Sequence, residues 1–320
     1  MCLICDCQDV EKKMSFEDLQ NLTELDCGGC TDLKDIPFLP HLKILNCSNC
    51  PALLTLSSLP QLKTLNCIAC PGLVTIPRLL CLETLWCDVC PALTTIPDLP
   101  RLKELNCIGC TALQTISNFP TLKRVQCSGC VGLITIHDLP HLEILKCNNC
   151  KALQNIYNLE NVQELHCICC QALRGLPNLP LLQHLNCSSC ENLEGLPFLP
   201  LLQHLDCCSC KDLKVIPSFP HLQHLNCMHC LFLTTLPDLP CLKILSCYGC
   251  PWLSHHNNPN YHENVKKVIN LQRWCQRNNQ YWRFKRWVKS EDFARFFYAP
   301  DQLGGRLIKH HLTAMFHTNL

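Results

Sequence analysis

Pairs of cysteines separated by two residues recur every twenty positions, from Cys27 and Cys30 through Cys47 and Cys50 to Cys247 and Cys250. C-x-x-C is a thiolate spacing for zinc, and two successive pairs could supply four ligands. The same sulfurs could form or exchange disulfides. Against zinc, every pair repeats at one pitch, with no alternating histidine and no separate tetrahedral nest. Against disulfides, strands about 4.8 Å apart bring Cα atoms within bonding range, but parallel side-chain vectors suit a near-90° dihedral poorly. The preferred reading is structural. Cys47, Cys67, Cys107 and Cys187 are small apolar core residues. Cys50, Cys70, Cys110 and Cys190 line a turn, where a thiol is a weak hydrogen-bond donor.

Three near-copies of one segment, Leu182-Gln-His184-Leu-Asn, Leu202-Gln-His204-Leu-Asp and Leu222-Gln-His224-Leu-Asn, align His184, His204 and His224. Copied polar surface is the preferred reading. Three imidazoles within reach could instead hold a transition metal, with His166 and His229 nearby. Crowded imidazoles resist joint protonation, so binding there would be pH-sensitive. Trp86 is a candidate interface anchor, and Arg124, Lys146 and Glu164 are candidate contacts beside it. Arg273, Arg277, Arg283, Lys285, Arg286 and Lys289 interleave with Trp274, Tyr281, Trp282, Phe284 and Trp287. Such a run can bind nucleic acid, an anionic membrane or a second protein. Its preferred role is to cover the open end of a repeat array. No phosphate-loop, G-x-S-x-G or H-E-x-x-H motif is present, and catalysis is not expected.

The elements that carry these residues follow from the period. Strict self-similarity at twenty residues marks a solenoid, whose units bury their apolar faces only by stacking. In Leu42-Lys-Ile-Leu45-Asn-Cys47, Leu45 and Cys47 share one strand face and Asn46 the other. Stacked copies predict a parallel sheet of about twelve rungs, about 55 Å long at the usual strand spacing. Prolines at 37, 40, 60, 77, 97 and 100 recur in the second half of the unit. Proline lacks the N–H a helix interior needs, so the return path is expected to be extended or polyproline-like. The unit carrying Tyr157 and Glu160 lacks both prolines, which predicts a local change in that path.

The pattern L-x-x-L-x-C-x-x-C, followed by Leu53, resembles the leucine-rich repeat. Cys47 stands at the third leucine position and Cys50 at the Asn/Cys turn position. The resemblance covers roughly residues 20–253. It implies an α/β horseshoe with one parallel sheet on the concave face, an extended convex side and an α-helical C-terminal cap. The short unit resembles those of certain bacterial effector proteins. Some of these carry a ubiquitin-ligase domain, but the 70 residues after the array, with Cys275 alone, are too short for one. The cysteine ladder, with Leu271-Gln-Arg-Trp274, Tyr281-Trp-Arg and Phe297-Tyr-Ala-Pro, is similar to leucine-rich repeat proteins of giant amoebal viruses.

The expected organisation is a worn capping repeat over 1–20, an array over 21–253, a linker over 254–262 and a basic, aromatic helical region over 263–320. Formal charge is −6 over residues 1–250 and +7 over 251–320. The start, Met1-Cys-Leu-Ile-Cys-Asp6-Cys7, predicts no signal peptide, and no apolar run approaches the length of a membrane span. So many cysteines without a signal peptide point to a reducing cytoplasm, in the host cell or virion if the chain is viral. The function these features imply is a non-catalytic scaffold that docks a protein on the concave sheet. The alternatives are a thiol-rich redox or zinc protein, and nucleic-acid or membrane-surface binding through the basic tail. No cofactor is expected unless the ladder takes zinc.

Overall fold

A computed structural model describes residues 20–233, 236, 237 and 239–250. Every element among them is a β-strand. The capping repeat expected before residue 20, the linker, the helical cap and the basic run Arg273–Lys289 lie outside the described residues.

Twelve three-residue strands, from Glu24–Asp26 to Ile244–Ser246, form one parallel sheet in strict chain order. The register advances by twenty residues at each step: Leu45 pairs with Leu65, Leu65 with Leu85, Leu205 with Leu225. The chain is therefore a parallel β-solenoid with a twenty-residue turn. The middle residue of each strand points inward, and the residues on either side of it face out. Leu25, Leu45, Leu65 and Leu85 head an inward column of leucines, with Val125 in one rung. Each rung adds further apolar residues, such as Leu42, Leu53, Leu56 and Leu59, and from the second rung on both cysteines. Among the described residues no polar or charged side chain is buried. Each buried leucine contributes about 2 kcal/mol from apolar burial.

The return path departs from the single sheet expected. Thr115–Ser117, Thr135–His137 and Asn155–Tyr157 form a second, three-stranded parallel sheet. Asp35–Ile36 pairs with Thr55–Leu56, and isolated bridges join Thr75 to Thr95 and Gly195 to Val215. Proline explains the pattern. Ser57 N–H donates to Ile36 C=O at 3.1 Å. Pro37, Pro77, Pro97, Pro177, Pro197 and Pro217 stand at the Ser57 position and have no such hydrogen to give. Ser117, His137 and Tyr157 are the consecutive rungs that do, and there the ladder closes over three residues. The loss of proline around Tyr157 thus adds strand to the return path.

After each strand the chain turns inward between the two cysteines. The residue just before the second cysteine has positive φ in every rung, from Gly29 at 76° to Gly249 at 78°. Glycine and asparagine suit this conformation, but Val89 adopts it at 56°. A β-branched residue there is strained, and its side chain is exposed, so nothing is gained by packing. Replacing Val89 by glycine is expected to raise the unfolding free energy by about 1 kcal/mol. Denaturant unfolding of the two proteins checks this. A variant no more stable than the parent would show that the turn carries no strain.

Candidate functional site: the sheet face and the thiol ladder behind it

The cysteines form two inward columns. Those of the first, Cys47 to Cys247, follow the strands, and those of the second, Cys50 to Cys250, close the turns; all of these are fully buried. Each second-column thiol donates to the carbonyl of the first-column cysteine one rung earlier. Cys70 Sγ–H reaches Cys47 O at 3.1 Å, Cys130 reaches Cys107 O at 3.0 Å, and Cys250 reaches Cys227 O at 2.8 Å. The contact recurs from Cys50 onward in every rung, over 23 residues of sequence each time. In some rungs the carbonyl also accepts from its own turn, as in Cys110 N–H to Cys107 O at 3.3 Å. A core of leucine and isoleucine has no proton to offer. Cysteine is the side chain of matching size and apolarity that does.

The ladder also sets the chemistry of the sulfurs. Hydrogen bonding to the second-column thiol of the next rung, then burial, holds Cys67, Cys87, Cys107, Cys127, Cys187 and Cys207 well above the ordinary thiol pKa. The same pairing draws the partner sulfur down at Cys70 and Cys150, and furthest at Cys190, to about 4. All three, however, are fully buried and donate to a carbonyl, which favours the protonated thiol. The thiol is the unreactive form of cysteine, whether as nucleophile or as metal ligand. Among the described residues, the ladder cysteines from Cys67 to Cys247 form no disulfide. Among the described residues no group of three or more His, Cys, Asp or Glu side chains is placed to hold a metal ion.

The outer face of the twelve-stranded sheet carries two columns per rung. Trp86 and Lys146 lie in one; Arg124, Glu164, His184, His204 and His224 lie in the other. Trp86 is half-buried, in register between Asn66 and Asn106. The charged candidates are largely engaged along and across the columns. Arg124 meets Glu104 at 3.3 Å, and Glu164 meets both Lys146 at 3.5 Å and His166 at 2.7 Å. Partial burial opposes ionisation of Glu164, but the His166 hydrogen bond and the Lys146 charge prevail and lower its pKa.

His184, His204 and His224 stack ring on ring, with centroids 4.5 and 4.3 Å apart and planes inclined by 16° and 28°. Stacked rings direct their nitrogen lone pairs side by side rather than toward one point. This is the physical reason the column does not form the metal site weighed from sequence. His166 sits in the neighbouring column on Glu164. His229 sits in a turn, edge-on to Tyr248 at 5.4 Å.

Two features escaped the sequence reading. Asn and Asp after the inward leucine are turn caps as well as surface: Asn46 Oδ1 accepts from Ser48 N–H, Asn66 from Ile68 N–H and Asp206 from Cys208 N–H, at 3.1 to 3.2 Å. Where His166 replaces the amide, Asn148 of the previous rung accepts from Ile168 N–H at 2.9 Å. The Asn-Cys or Asp-Cys step at the end of these strands was the available signal, since Asn and Asp commonly bond the backbone two residues on. On the return sheet His137 stacks on Tyr157 at 4.6 Å, its Nδ1 lies 2.8 Å from Asp138, and Asn158 donates to Asp138 at 2.6 Å. Missing prolines, each followed by Asn or Asp, marked that cluster.

No family model matches the chain, and no curated protein matches it. Among solved structures, a leucine-rich repeat protein from Bacteroides ovatus ATCC 8483 is similar at 12% identity over 68% of this chain and 80% of that one, with a TM-score of 0.28. A superposition that loose adds nothing to what the sheet register establishes, and the resemblance to giant-virus proteins finds no support here. No helix among the described residues is long and apolar enough to cross a membrane.

If the thiol-to-carbonyl bond holds the rungs together, its removal is costly. Cys130→Ala is expected to lower stability by about 1–3 kcal/mol, because the buried Cys107 carbonyl keeps only the longer contact from its own turn and the space the sulfur filled is left empty. Cys130→Ser restores a donor and should recover part of the loss. Urea unfolding of both variants is the check; equal losses would mean that shape, and not the hydrogen, is what matters.

Proposed function

We propose that this chain is a non-catalytic leucine-rich repeat protein that docks a protein partner on the outer face of its twelve-stranded sheet. The observation that carries the reading is the sheet itself. Twelve rungs in unbroken register present two outward columns, a long surface of the kind solenoids use for binding. Trp86 supplies an aromatic of the type that anchors interfaces, and Ile44 and Ile244 add exposed apolar area. The redox and zinc alternatives need accessible thiolates, whereas the ladder's sulfurs are buried and hydrogen-bonded. The working compartment is the reducing cytoplasm, because each second-column sulfur must keep its proton to serve its carbonyl.

A photo-crosslinking residue at Thr64 or Thr84, on the sheet, is expected to capture one protein partner in extracts of producing cells. The same residue at Gln114 or Gln154, on the return side, should capture little. Trp86→Ala should lower capture from Thr64 roughly tenfold, equivalent to about 1.4 kcal/mol of binding. Equal capture from both sides, or none lost with Trp86→Ala, would defeat the proposal.

A further inference from the structure

Rungs nine to eleven of the sheet differ from the rest. Each presents an amide, an imidazole and a short polar side chain in line: Gln183-His184-Asn186, Gln203-His204-Asp206 and Gln223-His224-Asn226. The rings form a continuous stack at 4.3–4.5 Å. Charged and titratable groups facing this strip are few. Glu164 and His166 border it on the strand Glu164–His166, and they bond each other. Asp206 lies within it and accepts from Cys208 N–H and Ser188 Oγ. Lys243 borders it on the other side, with Nζ on Gln223 at 2.6 Å, and the next strand brings the uncharged Ile244.

We propose that this imidazole stack is a proton-gated docking patch for an acidic polypeptide segment, weak at neutral pH and engaged in mildly acidic conditions. The inference rests on the sheet-face reading above and names the partner's chemistry and its regulation. Neutral rings stack without repulsion, and the strip then carries only the fixed charges named. Protonation makes it cationic, with Lys243 adding to the field and Asp206 offsetting one charge. Two imidazolium rings side by side repel each other, so the column takes up protons far more readily when carboxylates from outside neutralise them. Proton uptake and acidic-segment binding therefore promote each other, as linkage requires. The central ring behaves in keeping with this arrangement. Partial burial, then the neighbouring His184, His224 and Lys243, lower the pKa of His204.

The test uses the full chain and a fluorescein-labelled decapeptide of alternating serine and glutamate. Most of its glutamates are ionised at pH 5.5. Anisotropy at constant ionic strength should show binding at least tenfold tighter at pH 5.5 than at pH 7.5, and no such gain for a serine–lysine decapeptide. The combined variant His184→Asn, His204→Asn, His224→Asn should lose the gain. Asp206→Asn keeps an acceptor for Cys208 N–H while removing the internal counter-charge. It should bind the acidic peptide several-fold tighter at pH 5.5, which keeps the test decisive if the triple variant fails to fold. A wild-type protein with no pH gain, a triple variant that retains it, or an Asp206→Asn variant without tighter binding would each overturn the proposal. Absence of the gain alongside strong, Trp86-dependent capture from Thr64 would remove the gate and leave the docking reading standing. A gain alongside capture that ignores the face would remove the docking reading itself.

Discussion

The thiol-to-carbonyl bond is the contact on which the rest of this solenoid depends. A twenty-residue turn is short, and it bends sharply between the strand and the return path. The bend directs a backbone carbonyl, that of the first-column cysteine, into an interior with no buried polar side chain among the described residues. An unpaired buried carbonyl costs about as much as a lost hydrogen bond. The second cysteine of the next rung gives this carbonyl a donor near 3.0 Å, beside the turn's own N–H where that reaches it, while its sulfur fills apolar space. Because donor and acceptor sit on different rungs, each such bond also ties neighbouring turns together. The array is thereby committed to one pitch, which keeps the outer columns in register.

This division of labour makes the cysteine ladder look chemical in sequence and structural in space. C-x-x-C at regular spacing has the form of a ligand set. Yet the sulfurs point inward, and donation to a buried carbonyl favours their protonated form over the thiolate that zinc binding or redox exchange needs. Surface chemistry is left to the opposite face of the same strands, where tryptophan, histidine and paired charges stand at rung spacing. A rigid interior and a variable exterior are what a solenoid needs to change its binding surface without changing its fold.

Much of the fold was legible because the period is so strict. Leu45 and Cys47 sharing a face, the parallel register and a return path without helix follow from alternation and from proline placement. Less legible was where the return path would form a sheet. That required noticing that Ser117, His137 and Tyr157 are three successive rungs with an N–H to give. The dual role of Asn46 and Asn66 was also hidden, because a side chain that faces outward can still reach back to its own turn. At the candidate site, the histidine column was visible as a repeat, but its face-to-face stacking, which decides against metal chelation, depends on rotamers that spacing does not encode. The pairing of Arg124 with Glu104 and of Lys146 with Glu164 arises from neighbouring rungs, so it emerges only once the register is known.

The central claim is that the second-column thiols donate to first-column carbonyls. The S–H stretching absorption of the native protein in infrared light reports this directly. The account predicts a dominant band at the lowered frequency of a thiol hydrogen-bonded to a carbonyl, retained in heavy water because the groups are buried and lost on unfolding. A native band at the frequency of a thiol in an apolar solvent would contradict it, and cysteine would then be no more than a filler of space.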